Sequence, residues 1–129
     1  MIAVDTNVLV RLLTNDNAAQ SARSAAVFRA APVFVPKTVL LESEWVLRYS
    51  YGLPTAAIAR AFLALLGLST VTFEDAPVVY LAIRMLGRGI DFADALHLAS
   101  SAAAERFVTF DARLVKRARK DSPVPVVLA

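Results

Sequence analysis

Met1-Ile2-Ala3-Val4-Asp5-Thr6-Asn7 opens the chain with a short apolar run that stops at an aspartate, after which helical spacing takes over from Thr6 to Thr14. The same pattern recurs along the chain. Val33-Phe34-Val35 is closed by Pro36, Thr70 to Phe73 is β-branched, Phe107-Val108-Thr109-Phe110 stops at Asp111, and a last short strand runs from Pro125 to Leu128. Helical patterns lie between these runs. They cover about Ala18 to Ala31, Thr38 to Tyr51, Thr55 to Leu66, the stretch capped by Asp75 up to Leu86, Asp91 to Glu105, and Ala112 to Arg119. Strands this short, separated by helices, predict βαβ units and a parallel sheet covered on both faces. Ligands of such sheets bind beyond the carboxyl ends of the strands. Asp5 and Asp111 each follow a strand directly, so both are expected at that edge.

A length of 129 residues fits one domain, 1–129, around one core. With 57% hydrophobic and 19% charged residues, disorder is excluded. No uninterrupted apolar run approaches the ~18 residues of a membrane span, so a soluble protein with no membrane partner is expected. Met1 leads straight into a strand without a basic leader region, so no secretory signal is expected. The absence of cysteine leaves no disulfide framework and makes a reducing cytoplasm the default.

With no cysteine and one histidine, thiolate and imidazole sites are nearly excluded. A carboxylate is costly to bury unless it is paired or binds a metal, and an all-oxygen site suits Mg²⁺ or Mn²⁺. The net charge is +3, from 14 basic and 11 acidic residues. If four acids serve a metal, seven remain against 14 bases, and the rest of the surface stands at +7. A basic surface around an acidic pocket favours a phosphodiester substrate.

Each candidate has a plain structural alternative. Asp5 is a good helix cap as well as a metal ligand, with Asn7 placed to orient a ligand or water. Glu42 shares a helix face with Val39, Val46 and Tyr49, whereas Glu44 falls on another face with Arg48 as its obvious partner. On that pattern Glu42 is the preferred ligand. Asp91 reads as an N-cap. Asp94, in the first helical turn, reads as a ligand kept ionised by the helix dipole. His97 forms a D-x-x-H pair with Asp94 but reads better as a buried or partner-facing side chain. Asp111 is a cap or a ligand, and the Thr109 hydroxyl is placed to hold a water or an acidic ligand. Arg113, Lys116 and Arg117 follow at once, either as a solvated face or as phosphate contacts. Ile58, Phe62, Leu65 and Leu66 form a stripe on a helix with the single charge Arg60, which predicts a surface for a second copy.

The segments V-D-T-N-V-L-V-R, L-L-E-S-E-W-V-L-R with Y-G after it, D-F-A-D-A-L-H-L-A and V-T-F-D-A-R-L, in this order, give the chain a resemblance to the PIN-domain family, and within it to VapC-type toxins of toxin–antitoxin pairs. The resemblance covers nearly the whole chain. It implies a three-layer α/β/α sandwich with a short central parallel sheet, Rossmann-like in its winding. It also implies a Mg²⁺- or Mn²⁺-dependent endoribonuclease, commonly a homodimer, neutralised by a small VapB-type antitoxin. The family's acids fall on Asp5, Glu42, Asp94 and Asp111, and its supporting polar positions on Asn7 and Thr109. The alternatives are a PIN-fold nuclease of RNA processing or DNA metabolism without an antitoxin, and an inactive acidic-site binding module. A phosphotransfer receiver is disfavoured, because none of Lys37, Lys116 and Lys120 follows a late strand as that chemistry needs. A DNA flap nuclease would need a substrate-threading extension that a chain of this length lacks.

Overall fold

The first element is the apolar dipeptide of β1 (Ile2–Ala3), and the computed structural model describes the chain from there through every residue of 1–129. Two compact units are found, Met1–Ala76 and Pro77–Ala129. After β1 the first unit contains α1 (Thr6–Leu13), α2 (Ala18–Ala30), β2 (Val33–Val35), α3 (Lys37–Tyr49), α4 (Thr55–Leu66) and β3 (Val71–Phe73). The second contains α5 (Ala76–Gly87, its first residue in the first unit), α6 (Phe92–Ala99), β4 (Phe107–Thr109), α7 (Ala112–Ala118) and β5 (Val126–Leu128). No helix is long and apolar enough to cross a membrane.

All strand pairing is parallel, as the alternation of strands and helices predicts, and it is divided between two ladders. In the first unit the order is β1-β2-β3, with Ile2 opposite Val33, and Val33, Phe34 and Val35 opposite Val71, Thr72 and Phe73. In the second, Phe107, Val108 and Thr109 lie opposite Val126, Val127 and Leu128. The central strand β2 buries Val33 and Val35, and β3 buries Val71 and Phe73, so alternate side chains of one face enter the first core. Helices α2 and α3 pack on α1, and α4 packs on α3 and β3. In the second unit α7 packs on both strands, with Leu114 and Ala118 buried.

Helix starts follow from the caps in the sequence. Asp5, Asn17, Asp91 and Asp111 each accept a backbone N–H from the first turn of the following helix, each cap contributing about 1 kcal/mol. Helix α3 has no side-chain cap of its own. Its Lys37 N–H instead donates to Glu74 Oε1 at 2.9 Å, and Lys37 Nζ reaches Asp75 Oδ2 at 2.8 Å. That hydrogen bond is the main reason the Lys37 ammonium is held above its ordinary pKa. Asp75 sits at φ 49°, a left-handed conformation that aspartate tolerates better than most residues. Gly52, at φ 64°, turns the chain away from α3, as its position in the sequence predicts.

Three expectations are corrected. Helix α6 stops at Ala99 instead of running to Glu105. There the Ser101 hydroxyl bonds back to the His97 carbonyl at 2.7 Å and the chain continues as tight turns, since serine competes with the helix for its own backbone. The stripe Ile58, Phe62 and Leu65 is core, each residue buried and Leu66 half-buried, so it offers nothing to a second copy. The buried face of α3 is Leu40, Ser43, Glu44 and Leu47, not the face of Val39, Glu42, Val46 and Tyr49. Glu42 is exposed, whereas Glu44 is 1% exposed and holds Arg48 through bonds of 2.7 and 3.0 Å. The hydrogen bond to Glu44 is also the first reason the Arg48 guanidinium is pushed above its ordinary pKa.

Candidate active site

In the first unit, Asp5 stands one residue past the apolar opening run, exposed, with Oδ1 accepting the Val8 N–H at 3.2 Å. Its second oxygen is given no helix bond, so capping and ligation are compatible. Thr6 follows and is buried, and its hydroxyl donates to Glu42 Oε1. This bond ties the start of α1 to the outer face of α3 and fixes the orientation of a carboxylate that is otherwise exposed. Thr6 gives no signal in the sequence. Its side chain looks like part of a helix start, and its partner lies 36 positions away.

Asp5 and Asn7 also line a cleft of about 390 Å³ between α1 and α2, together with Arg11, Gln20, Arg23 and Ser24. Arg11, Gln20 and Arg23 carry no signal in the sequence. Helix α2 is rich in alanine and serine and has almost no apolar periodicity, so no face of it stands out.

The second unit gathers Asp91, Asp94, Asp111, Arg113 and Arg117 around a cleft of about 220 Å³. Asp91 caps α6 through the Asp94 N–H at 3.3 Å, the role its place in the sequence predicts. Asp111 caps α7, accepting from Arg113 N at 2.9 Å and Leu114 N at 3.1 Å. Thr109 Oγ1 accepts the Asp111 N–H at 3.0 Å, so this hydroxyl holds the backbone of the acid. Arg117 donates to the Gly89 carbonyl at 3.3 Å. Lys116 is exposed and is not among the side chains of the cleft.

The Asp94 carboxyl is pushed above its ordinary pKa, first by burial and then by the charges of Asp91 and Asp111, with His97 opposing them. Burial and the neighbouring acids thus act on Asp94 against the helix dipole. His97 is exposed, not buried.

Within neither unit are three carboxylate or imidazole side chains gathered into a ready ligand cluster. The residues nevertheless fit a hard cation. Mg²⁺ is usually held by one or two carboxylates while keeping several waters, and Asp94 and Asp111 offer that set beside two guanidinium groups.

The PIN domain family matches residues 2–120, across both units. The chain belongs to the PIN domain family. Among curated proteins no relative matches it. PIN domains are generally nucleases that use divalent metals, so the fold described here is a nuclease fold.

Proposed function

We propose that this PIN-domain protein is a Mg²⁺- or Mn²⁺-dependent endoribonuclease and the toxin of a toxin–antitoxin pair, acting in the cytoplasm. The observation that carries the nuclease part is the cleft in which Asp94 and Asp111 stand beside Arg113 and Arg117. Carboxylates there answer a cation and guanidinium groups answer a phosphate, and a phosphodiester bound through a metal needs both.

Asp5, Glu42, Asp94 and Asp111 are each assigned to metal binding, with Asn7 and Thr109 supporting. A divalent ion supplies a water of lowered pKa and neutralises charge on the phosphoryl oxygens. Thr6 holds Glu42 in one orientation, and Thr109 and the α7 backbone hold Asp111. Arg113 and Arg117 position the phosphate, and Lys116 adds long-range attraction to the strand. No proton has to be taken by His97, so His97→Ala should keep metal-dependent turnover.

The toxin assignment rests on the four sequence segments and their order. It carries with it a small VapB-type antitoxin and a homodimer. With the Ile58 stripe buried, the exposed apolar surface on α3 and α4 is Trp45, Tyr49 and Leu63. These are the side chains this reading assigns to protein contacts.

The test is sequencing of RNA 5′ ends after brief expression, with Asp5→Asn as control, followed by cleavage with purified chain and added Mg²⁺. New ends with wild type and none with Asp5→Asn support the reading, and identical ends in both would refute it. Loss of cleavage on adding the product of the adjacent small reading frame, and a dimer by light scattering, are the results expected for the toxin part.

A further inference from the structure

The cleft between α1 and α2 has a charge arrangement that neither capping nor packing explains. Asn7 and Arg11 are one turn apart on α1. Gln20, Arg23 and Ser24 recur at three and four residues on α2, so each helix presents one stripe to the cleft. The two arginines are in different states. Arg11 is paired, with Nε on Gln20 Oε1 at 2.6 Å and Nη1 on Asp16 Oδ1 at 2.8 Å and on the Tyr51 hydroxyl at 2.7 Å. Asp16 in turn accepts from Tyr51 at 2.9 Å. That hydrogen bond, with Arg11 beside it, holds the Asp16 carboxyl below its usual range. The charge of Arg11 is thereby cancelled, and its side chain is a strut between the helices. Arg23 is exposed, and no acid pairs with it. An uncompensated guanidinium therefore shares a cleft with the carboxylate of Asp5.

We propose that this cleft is a backbone subsite for single-stranded RNA, in which Arg23 pairs with a phosphate adjacent to the one that is cleaved. The proposal rests on the nuclease reading above, since Asp5 is the acid that relates the cleft to the reaction. A guanidinium binds phosphate through a planar fork, a geometry that lysine lacks. Because Gln20 Oε1 accepts from Arg11, its amide nitrogen is left to donate, as is that of Asn7, and both suit phosphate or ribose oxygens. A volume of about 390 Å³ suits one nucleotide unit and is far too small for a duplex. No aromatic ring lines the cleft, so bases have nothing to stack on. The subsite therefore supplies affinity and register, not sequence preference. An acidic peptide has no reason to lie beside the proposed metal acid Asp5, whereas an RNA strand held for cleavage does, which favours the nucleic acid.

The test reads binding apart from turnover. Fluorescence anisotropy of labelled single-stranded RNA oligomers of two unrelated sequences is measured with the full chain carrying Asp94→Asn, across a KCl series. Adding Arg23→Gln should weaken binding roughly tenfold, equally for both oligomers. It should also reduce the slope of log K against log salt by about 0.7, the value for one phosphate on a single strand. Arg23→Lys should restore the slope but not the full affinity. Arg29→Gln, on the same helix outside the cleft, should change neither. In the otherwise wild-type chain, Arg23→Gln should raise KM and leave kcat unchanged.

An Arg23→Gln protein that matches Arg29→Gln in affinity and slope overturns the subsite, and so does a loss confined to one oligomer. Displacement of the RNA by poly-glutamate at equal concentration would make the cleft a peptide site and also overturn it. Binding that depends on Arg23 in a chain that cleaves nothing keeps the subsite and overturns the nuclease reading. Cleavage with KM indifferent to Arg23 does the reverse.

Discussion

The two faces of α3 carry one glutamate each, and they use the same side chain in opposite ways. Glu44 is buried, its charge answered by Arg48 four residues on. Glu42 is exposed, held by one hydroxyl, and keeps lone pairs to offer. A charge in the core has to be neutralised from within the chain, because an unpaired buried ion costs several kcal/mol. A charge kept for a ligand has to stay accessible and poorly compensated. On α3, then, burial marks the glutamate kept for structure, and exposure with a fixed orientation marks the one proposed for a ligand.

The largest effect expected from this contrast is on stability. Arg48→Met leaves the Glu44 carboxylate buried without its partner and should cost about 3–5 kcal/mol, a drop in Tm on the order of 10 °C. Glu44→Gln should cost less, because the arginine it leaves behind is 28% exposed and can turn to water. Thermal melts of the two proteins check the order. A milder Arg48→Met would mean that the ion pair is not what holds Glu44 in the core.

Next comes Glu42→Gln, which should lower metal-dependent RNA cleavage by at least about 100-fold, since removing an outer partner of a ligand alone commonly costs 10–100-fold. Its Tm should stay close to wild type, because the exposed amide still accepts from Thr6. Full cleavage by this variant, with Glu44→Gln inactive at a temperature where it is folded, would reverse the assignment of the two faces.

Thr6→Val sharpens the comparison further. It keeps the shape of the side chain and removes only the hydroxyl that orients Glu42. The expected loss is 10–100-fold in Mn²⁺ affinity by isothermal titration, smaller than for Glu42→Gln. Unchanged affinity would show that Glu42 needs no fixing.

The contrast also explains what was legible in the sequence. Strands and most helices were, because each apolar run ends in a residue that stops it, such as Asp5, Pro36 or Asp111. The caps Asp91 and Asp111 were legible for the same reason. The facing of α3 was not. Val39, Leu40, Leu41, Val46 and Leu47 make apolar stripes on both sides of the helix, and periodicity cannot choose between them. Arg48 can neutralise Glu44 on either. The C-terminus of α6 was missed because Ala102, Ala103 and Ala104 favour helix, while Ser100 and Ser101 stop it first. The cleft around Arg23 gave no signal, since what marks Arg23 is the lack of an acid, and only the tertiary structure shows that Arg11 has taken Asp16.

The smallest effect concerns pH and belongs to Asp94. Its carboxyl is raised above the usual pKa of 3.8, chiefly by burial and then by Asp91, with Asp111 adding and His97 opposing. A raised folded pKa means that the metal-free native state binds the proton more tightly than the unfolded chain. Between 3.8 and the raised value the native state carries more protons, so stability falls as pH rises through that window and stays lower above it. Asp94→Asn removes this penalty. In EDTA at pH 7 the variant should melt slightly above wild type, and the gap should close as the pH approaches 4. Saturating Mg²⁺ should then invert the order, raising the Tm of wild type and leaving Asp94→Asn behind, because only the ionised carboxylate gains a ligand. A gap constant from pH 7 to 4 would remove the electrostatic account. A gap that Mg²⁺ fails to invert would place Asp94 with Glu44, among the charges kept for structure.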